Sequence, residues 1–221
     1  MFIGVDLSWK ALPKRTAVVA LDSNKRVIIA ELITHDEELI AILKNFERCV
    51  VAIDSPLIVK NKKGRRKCDA LLQEKYGIPC YPANLSWFNK AFGGVRGEKI
   101  VKKLEKIGFK LSFYFPKENK RIIIEVYPYA SWKMLLKDVP KYKKGRKHEQ
   151  KAAMKKLHEA LKAHGILLPK EEENHDILDA TIAAYTAYYF YNFPEKCDVL
   201  GDLKEGFIVI PKGLSYGNTI I

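Results

Sequence analysis

Four acidic residues in three separate parts of the chain are the side chains best suited to chemistry. Asp6 and Asp54 each end a short apolar run, which predicts that both lie at the ends of buried strands. Asp176 and Asp179 are three residues apart at the start of a long apolar segment, so both are expected on one face of a helix. Brought together, these carboxylates would form a pocket for divalent cations.

Such a pocket is typical of metal-dependent phosphodiesterases. Phosphodiester cleavage is helped by two divalent cations roughly 3.5–4 Å apart, and Mg²⁺ or Mn²⁺ prefers carboxylate oxygens. We expect Asp6 to bridge two ions, Asp54 to hold one from the side, and Asp176 and Asp179 to complete the set. Without cations, two carboxylates about 4 Å apart would repel by about 4 kcal/mol at an effective dielectric near 20, so some would have to be protonated.

Each of these residues also has a simpler interpretation. Asp6 and Asp54 could make turns at strand ends, and the Asp176 and Asp179 pair could be favoured by the positive end of a helix dipole. His175 is either a general base or a capping or surface histidine. The catalytic interpretation depends on all four carboxylates occurring in the order that one fold requires.

Composition indicates a globular protein with a polyanionic partner. The chain has 221 residues and is 48% hydrophobic, which is enough for one domain with a substantial core. It carries 39 Lys and Arg against 26 Asp and Glu, a net charge of +13. Nucleic acid is the commonest partner for such a surplus. A thermophile's charged surface would explain high charge of both signs but not the imbalance.

Cysteine usage and the chain's start predict a cytoplasmic protein. Cys49, Cys68, Cys80 and Cys197 show neither a disulfide framework nor zinc-site spacing. The chain begins directly with strand-like residues, so no signal peptide is expected, and no apolar run has the length of a membrane span.

Apolar runs and turn signals predict the elements that position the acidic residues. Three strands of an antiparallel meander are predicted at residues 2–6, Thr16–Leu21 and Arg26–Ile33. Residues 34–37 resemble a capping box that begins a helix ending near residue 47. The strand Val50–Ile53 follows this helix and is expected to lie parallel to the first strand.

Residues 57–120 have a looser pattern and are predicted to be an insertion in a single domain that spans residues 1–221. Six of the eight residues from Lys60 to Lys67 are basic. Short helices are expected at Cys68–Tyr76 and Glu98–Ile107. The predicted elements after the insertion are a strand at Arg121–Val126, helices from near Tyr129, at His148–His164 and at His175–Tyr191, and a strand at Gly206–Ile210.

This order predicts an α/β fold with a mixed five-stranded sheet, flanked by helices and carrying a basic insertion. It is the arrangement of the RNase H-like fold, and the sequence resembles the RNase H-like nucleases, particularly the RuvC-type Holliday junction resolvases. Their first-strand Gly-hydrophobic-Asp motif is matched by Gly4-Val5-Asp6, and their final Asp-x-x-Asp by Asp176 and Asp179. Asp54 stands where the resolvases have glutamate. Because those enzymes work as dimers, the resemblance leaves a homodimer as one option.

A closer resemblance is to an uncharacterised family, domain of unknown function 429, described as predicted nucleases of RNase H-like fold. The matching stretches are Gly4–Asp6, Ile53–Leu57, Arg65–Asp69, Glu125–Pro128 and Asp176–Ala180. The resemblance implies that Glu125 is a fifth acidic residue or orients a metal-bound water, and it adds Tyr127 to the candidate site. It also implies that Asp69 pairs with Arg66 or caps the following helix.

Two basic segments are expected to contact phosphates. The candidate residues are Lys60, Arg65, Arg66, Lys67, Lys143, Lys144 and Arg146. Lys143 would neutralise charge in the transition state or is a surface lysine. The aromatic residues that would stack on bases are Tyr81, Trp87, Phe88, Phe92 and Trp132, although most of them are expected in the core.

We therefore expect a nuclease that uses Mg²⁺ or Mn²⁺, with two ions, to hydrolyse DNA or RNA. A second hypothesis is a non-catalytic nucleic-acid-binding protein of the same fold. An ATPase or phosphotransferase of the superfold is a third, but Gly4-Val5-Asp6 is followed by Trp9-Lys10 rather than by a glycine-rich phosphate turn. The sequence leaves the choice between DNA and RNA open.

Overall fold

The computed structural model of the chain describes residues 1–10, 15–115, 120–169 and 174–213. A six-stranded sheet lies at its centre. Its strands are β1 (Phe2–Asp6), β2 (Thr16–Leu21), β3 (Val27–Ile33), β4 (Cys49–Asp54), β5 (Lys110–Leu111) and β6 (Arg121–Glu125). A second sheet pairs β7 (Cys197–Asp202) with β8 (Gly206–Pro211).

The central sheet is mixed, with the order β3-β2-β1-β4-β6-β5. Strands β1, β2 and β3 form an antiparallel meander, whereas β4 is parallel to β1, and β6 is parallel to both β4 and β5. The predicted meander and the predicted parallel pairing of the first strand with Val50–Ile53 are both confirmed. This topology is consistent with the predicted RNase H-like α/β fold.

Helices cover both faces of the sheet. Among the described residues they are α1 (Asp36–Lys44), α2 (Lys67–Tyr76), α3 (Leu85–Phe92), α4 (Arg96–Glu105), α5 (Pro128–Leu135), α6 (Lys147–Ala163) and α7 (His175–Asn192). Within the described ranges, no helix has both the length and the apolar character needed to cross a membrane.

Alternating side chains of the central strands pack into two core layers, one on each face of the sheet. In β2, Ala17, Val19 and Leu21 pack into the layer that contains α5, α6 and α7, whereas Val18 and Ala20 pack into the layer that contains α1 and α4. This period-two pattern places each core-facing set on one side of the sheet. The mostly apolar sequences of β1, β2 and β4 follow because both faces of these strands are covered.

Gly4 brings helix α7 unusually close to β1. A Cβ atom at position 4 would lie 1.9 Å from the Ala180 carbonyl oxygen and 2.3 Å from the Ala184 backbone nitrogen. The contact surface of α7 is correspondingly built from small residues, including Ala183 and Ala187. Glycine is therefore required here because the helix backbone occupies the space that any side chain would need.

Among the described residues, four elements were not predicted from the sequence. They are the short edge strand β5, the helix α3, the strand β7 and a 3₁₀ helix at Pro194–Lys196. Strand β7 pairs with β8, whose position was predicted, and this hairpin joins the central sheet through a bridge between Val126 and Val209. The predicted insertion, residues 57–120, supplies α2, α3, α4 and β5; its residues 116–119 lie outside the described residues.

Candidate functional site

Asp6 and Asp54 form the base of the candidate site. They end the neighbouring parallel strands β1 and β4 and are direct partners in the strand register. Burial, and then the charge of Asp54, raises the pKa of Asp6 well above its usual value. Burial is also the largest cause that raises the pKa of Asp54, to about 7. The two carboxylates are therefore held where a second negative charge is strongly disfavoured.

Asp176 reaches the same place from the first turn of α7. Asn174 caps this helix, and its Oδ1 accepts a hydrogen bond from the Asp176 backbone N–H at 2.8 Å. After burial and the charges of Asp54 and Asp179, the charge of Asp176 also raises the pKa of Asp6, which indicates that these carboxyl groups lie close together. The predicted convergence of the first strand and the last helix is thus what the structure contains.

His175 lies beside Asp176 at the outer edge of the site. Its Nδ1 atom is 2.7 Å from Asp176 Oδ1, and its side chain is 40% exposed. Burial alone would raise the pKa of Asp176, but the contact with His175 keeps that pKa below its usual value. The contact therefore helps to keep the Asp176 carboxyl group ionised.

Asp179 is fully buried and already has polar partners on both oxygens. Its Oδ1 accepts hydrogen bonds from Trp132 Nε1 at 2.8 Å and from the Tyr142 hydroxyl at 2.9 Å. Its Oδ2 lies 2.6 Å from Lys143 Nζ. Burial, and then the charge of Asp179, raises the pKa of Tyr142, so its hydroxyl stays a donor. Asp179 is thereby held in place by three side chains.

Lys143 is the cation of this cluster. Burial alone would lower its pKa, but Asp179 and then Asp6 hold that pKa above its usual value. Its charge in turn lowers the pKa of Asp6 and of Asp54, against the larger effect of their burial. The ammonium group therefore lies where it partly neutralises three carboxyl groups.

Glu125 belongs to a different, buried network. Arg66 donates to both of its oxygens, from Nη2 at 2.6 Å and from Nη1 at 2.9 Å, and the Leu57 backbone N–H donates at 2.7 Å. Arg66 also pairs with Asp69, through Nη2 at 2.7 Å and Nε at 3.0 Å. The implied pairing of Asp69 with Arg66 is present.

The contacts of Arg66 and Glu125 differ from those predicted from the sequence. Arg66 was expected to contact phosphates, but it is 4% exposed and its guanidinium is engaged by Asp69 and Glu125. Glu125 was expected to be a fifth acidic residue of the site or to orient a metal-bound water, whereas both of its oxygens accept hydrogen bonds from Arg66 or the Leu57 N–H. The Arg66–Glu125 ion pair instead joins the segment after β4 to the end of β6. Each of these buried groups requires the other, because removing either one would leave an uncompensated buried charge.

The other predicted phosphate-contacting residues are on the surface. Lys60, Arg65, Lys67, Lys144 and Arg146 are exposed, as is the outer part of Lys143. Arg146 lies at the start of α6, where its backbone N–H donates to Glu149 Oε2 at 2.8 Å.

The aromatic residues of the predicted insertion gather next to the carboxylates. Trp87, Phe88 and Phe92 of α3 surround Trp9, which follows β1, and Tyr81 stands at the edge. A cavity of about 510 Å³, counting the solvent space at its mouth, lies against this group and reaches Asp54 and Tyr127. Phe88 is buried, and Trp132 is buried in a different part of the core, as expected of most of these aromatic residues, whereas Tyr81 is 72% exposed.

Arg96 is a positioning residue that the sequence analysis missed. Its Nη1 donates to the Ser8 carbonyl oxygen and the Ser8 hydroxyl, each at 2.7 Å, and its Nη2 donates to Asp36 Oδ1 at 2.6 Å. It fixes the chain just after Asp6. Tyr142 was missed as well, because it lies in a basic loop for which only phosphate contacts were predicted. Neither Arg96 nor Tyr142 has a local sequence pattern that indicates its role.

The described residues contain no group of three or more His, Cys, Asp or Glu side chains already arranged to hold one metal ion. The chemistry of the donors nevertheless fits a hard cation. Asp6, Asp54 and Asp176 supply oxygen ligands of the kind that Mg²⁺ and Mn²⁺ prefer, and the Lys143 ammonium group supplies positive charge beside them.

Comparisons with known proteins identify the family alone. No curated protein matches the sequence. No solved structure matches it. A family model described as a protein of unknown function (DUF429) matches residues 4–203, which include Asp6, Asp54, Asp176 and Asp179. The chain therefore belongs to the DUF429 family.

Proposed function

We propose that this protein is a divalent-metal-dependent nuclease that hydrolyses phosphodiester bonds of DNA or RNA. The observation that carries the proposal is the convergence of Asp6, Asp54 and Asp176 at one end of the central sheet. Three carboxyl groups meet there, and burial together with the neighbouring negative charges raises the pKa of Asp6. Such a concentration of negative charge is suited to binding cations that the reaction needs.

Asp6, Asp54 and Asp176 would hold the metal. Asp179 would join them through Oδ2 if Lys143 moved away, since Trp132 and Tyr142 occupy only its Oδ1. When bound, Mg²⁺ or Mn²⁺ supplies charge stabilisation and an acidified water molecule, and two ions are expected at such a carboxylate cluster.

The chain's own residues contribute orientation and charge. Trp132 and Tyr142 fix the Asp179 carboxylate, while Gly4 lets α7 carry Asp176 and Asp179 down onto β1. Lys143 places an ammonium group at the cluster, where it would stabilise negative charge that develops on a phosphate oxygen.

The exposed basic residues support a polyanionic substrate. The chain's net charge is +13, and Lys60, Arg65, Lys67, Lys144 and Arg146 are all exposed. Contacts from such residues to phosphates provide affinity and positioning without sequence preference. We also propose a cytoplasmic location, which the free thiols of the four cysteines support. A homodimer remains a proposal from the resemblance to the resolvases.

One observation favours a non-catalytic nucleic-acid-binding protein as the second candidate. Both oxygens of Asp179 are already engaged, and Lys143 supplies the cluster with a cation from the chain itself. A cluster completed in this way would be structural. The basic surface would then act in binding alone.

A cleavage assay separates the two candidates. Labelled junction, duplex, single-stranded and hybrid substrates are incubated with Mg²⁺, Mn²⁺ or EDTA and with wild type, Asp6→Asn or Asp179→Asn. A nuclease cuts at least one substrate only with metal and loses this activity in both variants, while keeping its binding. Binding without cutting, unchanged in both variants, would favour the second candidate.

A further inference from the structure

An exposed aromatic pocket lies beside the carboxylates. Trp9, Tyr81 and Trp87 line the cavity that also touches Asp54. The rings of Tyr81 and Trp87 are nearly parallel, 5° apart with centroids separated by 6.3 Å, and Trp9 stands perpendicular to both. The pocket is therefore walled by flat apolar surfaces on more than one side.

A small buried core supports Trp9 and Trp87, whereas Tyr81 is largely open to solvent. The buried side chains of Val59, Ala83, Phe88 and Val95 pack against Trp9 and Trp87. Tyr81 itself is 72% exposed, which is a large area of aromatic surface to leave in water. A rigid aromatic surface that remains open to solvent is suited to stacking on a planar ligand.

A basic segment borders the same pocket. The Leu85 backbone N–H donates to the Asn61 carbonyl oxygen at 3.0 Å, and the Ser86 N–H donates to that of Lys62 at 3.2 Å. Asn61 Nδ2 also donates to the Ala83 carbonyl oxygen at 3.0 Å. These bonds fix the segment that carries exposed lysines and an arginine against the start of α3, the helix that supplies Trp87: Lys60, Lys62, Lys63 and Arg65.

The ligand that matches this aromatic pocket and its basic border is a planar ring joined to negatively charged groups. A nucleobase joined to phosphates has both features, because its face stacks on aromatic side chains while lysine and arginine bind the backbone. In a duplex, each base face is covered by its neighbours. Only an unpaired base can enter the pocket, and it would then lie close to Asp54, which lines the same cavity.

We propose that the pocket formed by Trp9, Tyr81 and Trp87 binds an unpaired nucleobase, so that the protein acts on single-stranded nucleic acid or on unpaired nucleotides next to the cut. This inference deepens the proposed nuclease function and rests on it for the position of the cut. The pocket's ligand is a base of a polynucleotide strand, and the basic segment beside it binds the adjoining phosphates.

Binding in EDTA tests the pocket without requiring cleavage. Fluorescence anisotropy compares wild-type protein with a labelled single strand, the same strand with abasic sites at every internal position, and a duplex. The pocket predicts that loss of the bases weakens binding about fivefold or more, since base stacking of about 1–3 kcal/mol per base corresponds to that range. The duplex should also bind more weakly than the single strand.

Variants locate the effect. Tyr81→Ala and Trp87→Ala should each weaken binding of the single strand about fivefold or more, but leave binding of the abasic strand unchanged. Tyr114→Ala is the matched control, because Tyr114 is 63% exposed and lies outside the cavity. Circular dichroism establishes that each variant is folded.

Each result bears on the proposal. Equal affinity of wild type for the base-bearing and abasic strands would overturn it, whatever the variants do. Competition by a mononucleotide as strong as that by the strand would overturn the assignment to a polynucleotide. Base-dependent binding without cleavage of any substrate would support the pocket while contradicting the nuclease, so the two proposals fail separately.

Discussion

Asp6 and Asp54 face each other across two parallel strands, as direct register partners at the strand ends. The pairing of β1 with β4 holds the two residues side by side. The pKa of each is raised by burial and by neighbouring negative charge. The fold therefore holds together two carboxyl groups whose simultaneous ionisation is unfavourable, and this unfavourable free energy has measurable consequences.

Asp54→Asn should make the metal-free protein more stable at neutral pH. Below about pH 4 the carboxyl group of Asp54 is protonated in both the folded and the unfolded chain, so it has no differential effect. Between about 4 and its folded pKa of about 7, the folded chain holds the proton more tightly, so stability falls as pH rises. The variant lacks this loss, which has an upper limit of about 4 kcal/mol.

Urea unfolding in EDTA from pH 4 to pH 8 measures this effect. The difference in unfolding free energy between Asp54→Asn and wild type should grow with pH. Asp138→Asn changes an exposed carboxylate and should give a difference that is small at every pH. A constant difference for Asp54→Asn would show that Asp54 titrates normally.

Lys143→Met should alter the protein's response to divalent cations. Removing the ammonium leaves Asp179 Oδ2 without its ion partner at 2.6 Å, so we expect a loss of about 1–3 kcal/mol in EDTA. Mn²⁺ should then stabilise the variant more than it stabilises wild type, because no lysine competes for the carboxylates.

Thermal unfolding with EDTA or Mn²⁺ tests the Lys143 prediction. Lys144→Met is the control, since Lys144 is the exposed neighbour in the same loop. If Mn²⁺ raised the melting temperature equally in both variants and wild type, Lys143 would not occupy the cation position of the cluster.

Arg66→Met should be strongly destabilising. It leaves Glu125 and Asp69 buried without their shared guanidinium, and breaking such a buried pair typically costs about 3–5 kcal/mol. Arg65→Met, one residue away at an exposed position, should stay within about 0.5 kcal/mol of wild type. Chemical denaturation compares the two, and similar stabilities would contradict a structural role for Arg66.

Gly4→Ala should disrupt the packing of α7 on β1. The new methyl group would lie 1.9 Å from the Ala180 carbonyl oxygen, so the helix that carries Asp176 and Asp179 must shift. Gly77→Ala is the comparison, because Gly77 is the exposed C-cap residue of α2, where a new Cβ would have no atom within 4 Å and only the left-handed φ of 63° would strain the variant. We expect a loss of about 1 kcal/mol there and a much larger one, or failure to fold, for Gly4→Ala; equal losses would exclude the close approach as the reason for the glycine.

The sequence predicts those features of the fold and the site that depend on local residue patterns. Apolar runs mark β1 and β4, and the rule that a strand after a helix crossover runs parallel places Asp6 beside Asp54. The spacing of Asp176 and Asp179 follows from helical geometry. These regularities are sufficient to predict the convergence of the carboxylates, because each acidic residue lies at the end of a strand or the start of a helix.

The partners of those carboxylates are not local. Arg66 meets Glu125 across 59 residues, and Arg96 reaches Ser8 across 88. The sequence of a basic segment such as Lys60–Lys67 does not indicate whether one of its side chains is buried or all of them face solvent. Arg66 was therefore expected on the surface with its neighbours, and only its burial distinguishes it.

Mn²⁺ binding is the most direct test of the claim that this cluster is a divalent-cation site. Isothermal titration calorimetry compares wild type with Asp6→Asn, Asp54→Asn and the exposed control Asp138→Asn. We predict that wild type and Asp138→Asn bind Mn²⁺ alike, and that Asp6→Asn and Asp54→Asn each bind at least about tenfold more weakly, a loss of about 1.4 kcal/mol or more. Undetectable Mn²⁺ binding by wild type, or unchanged binding by both site variants, would contradict the account.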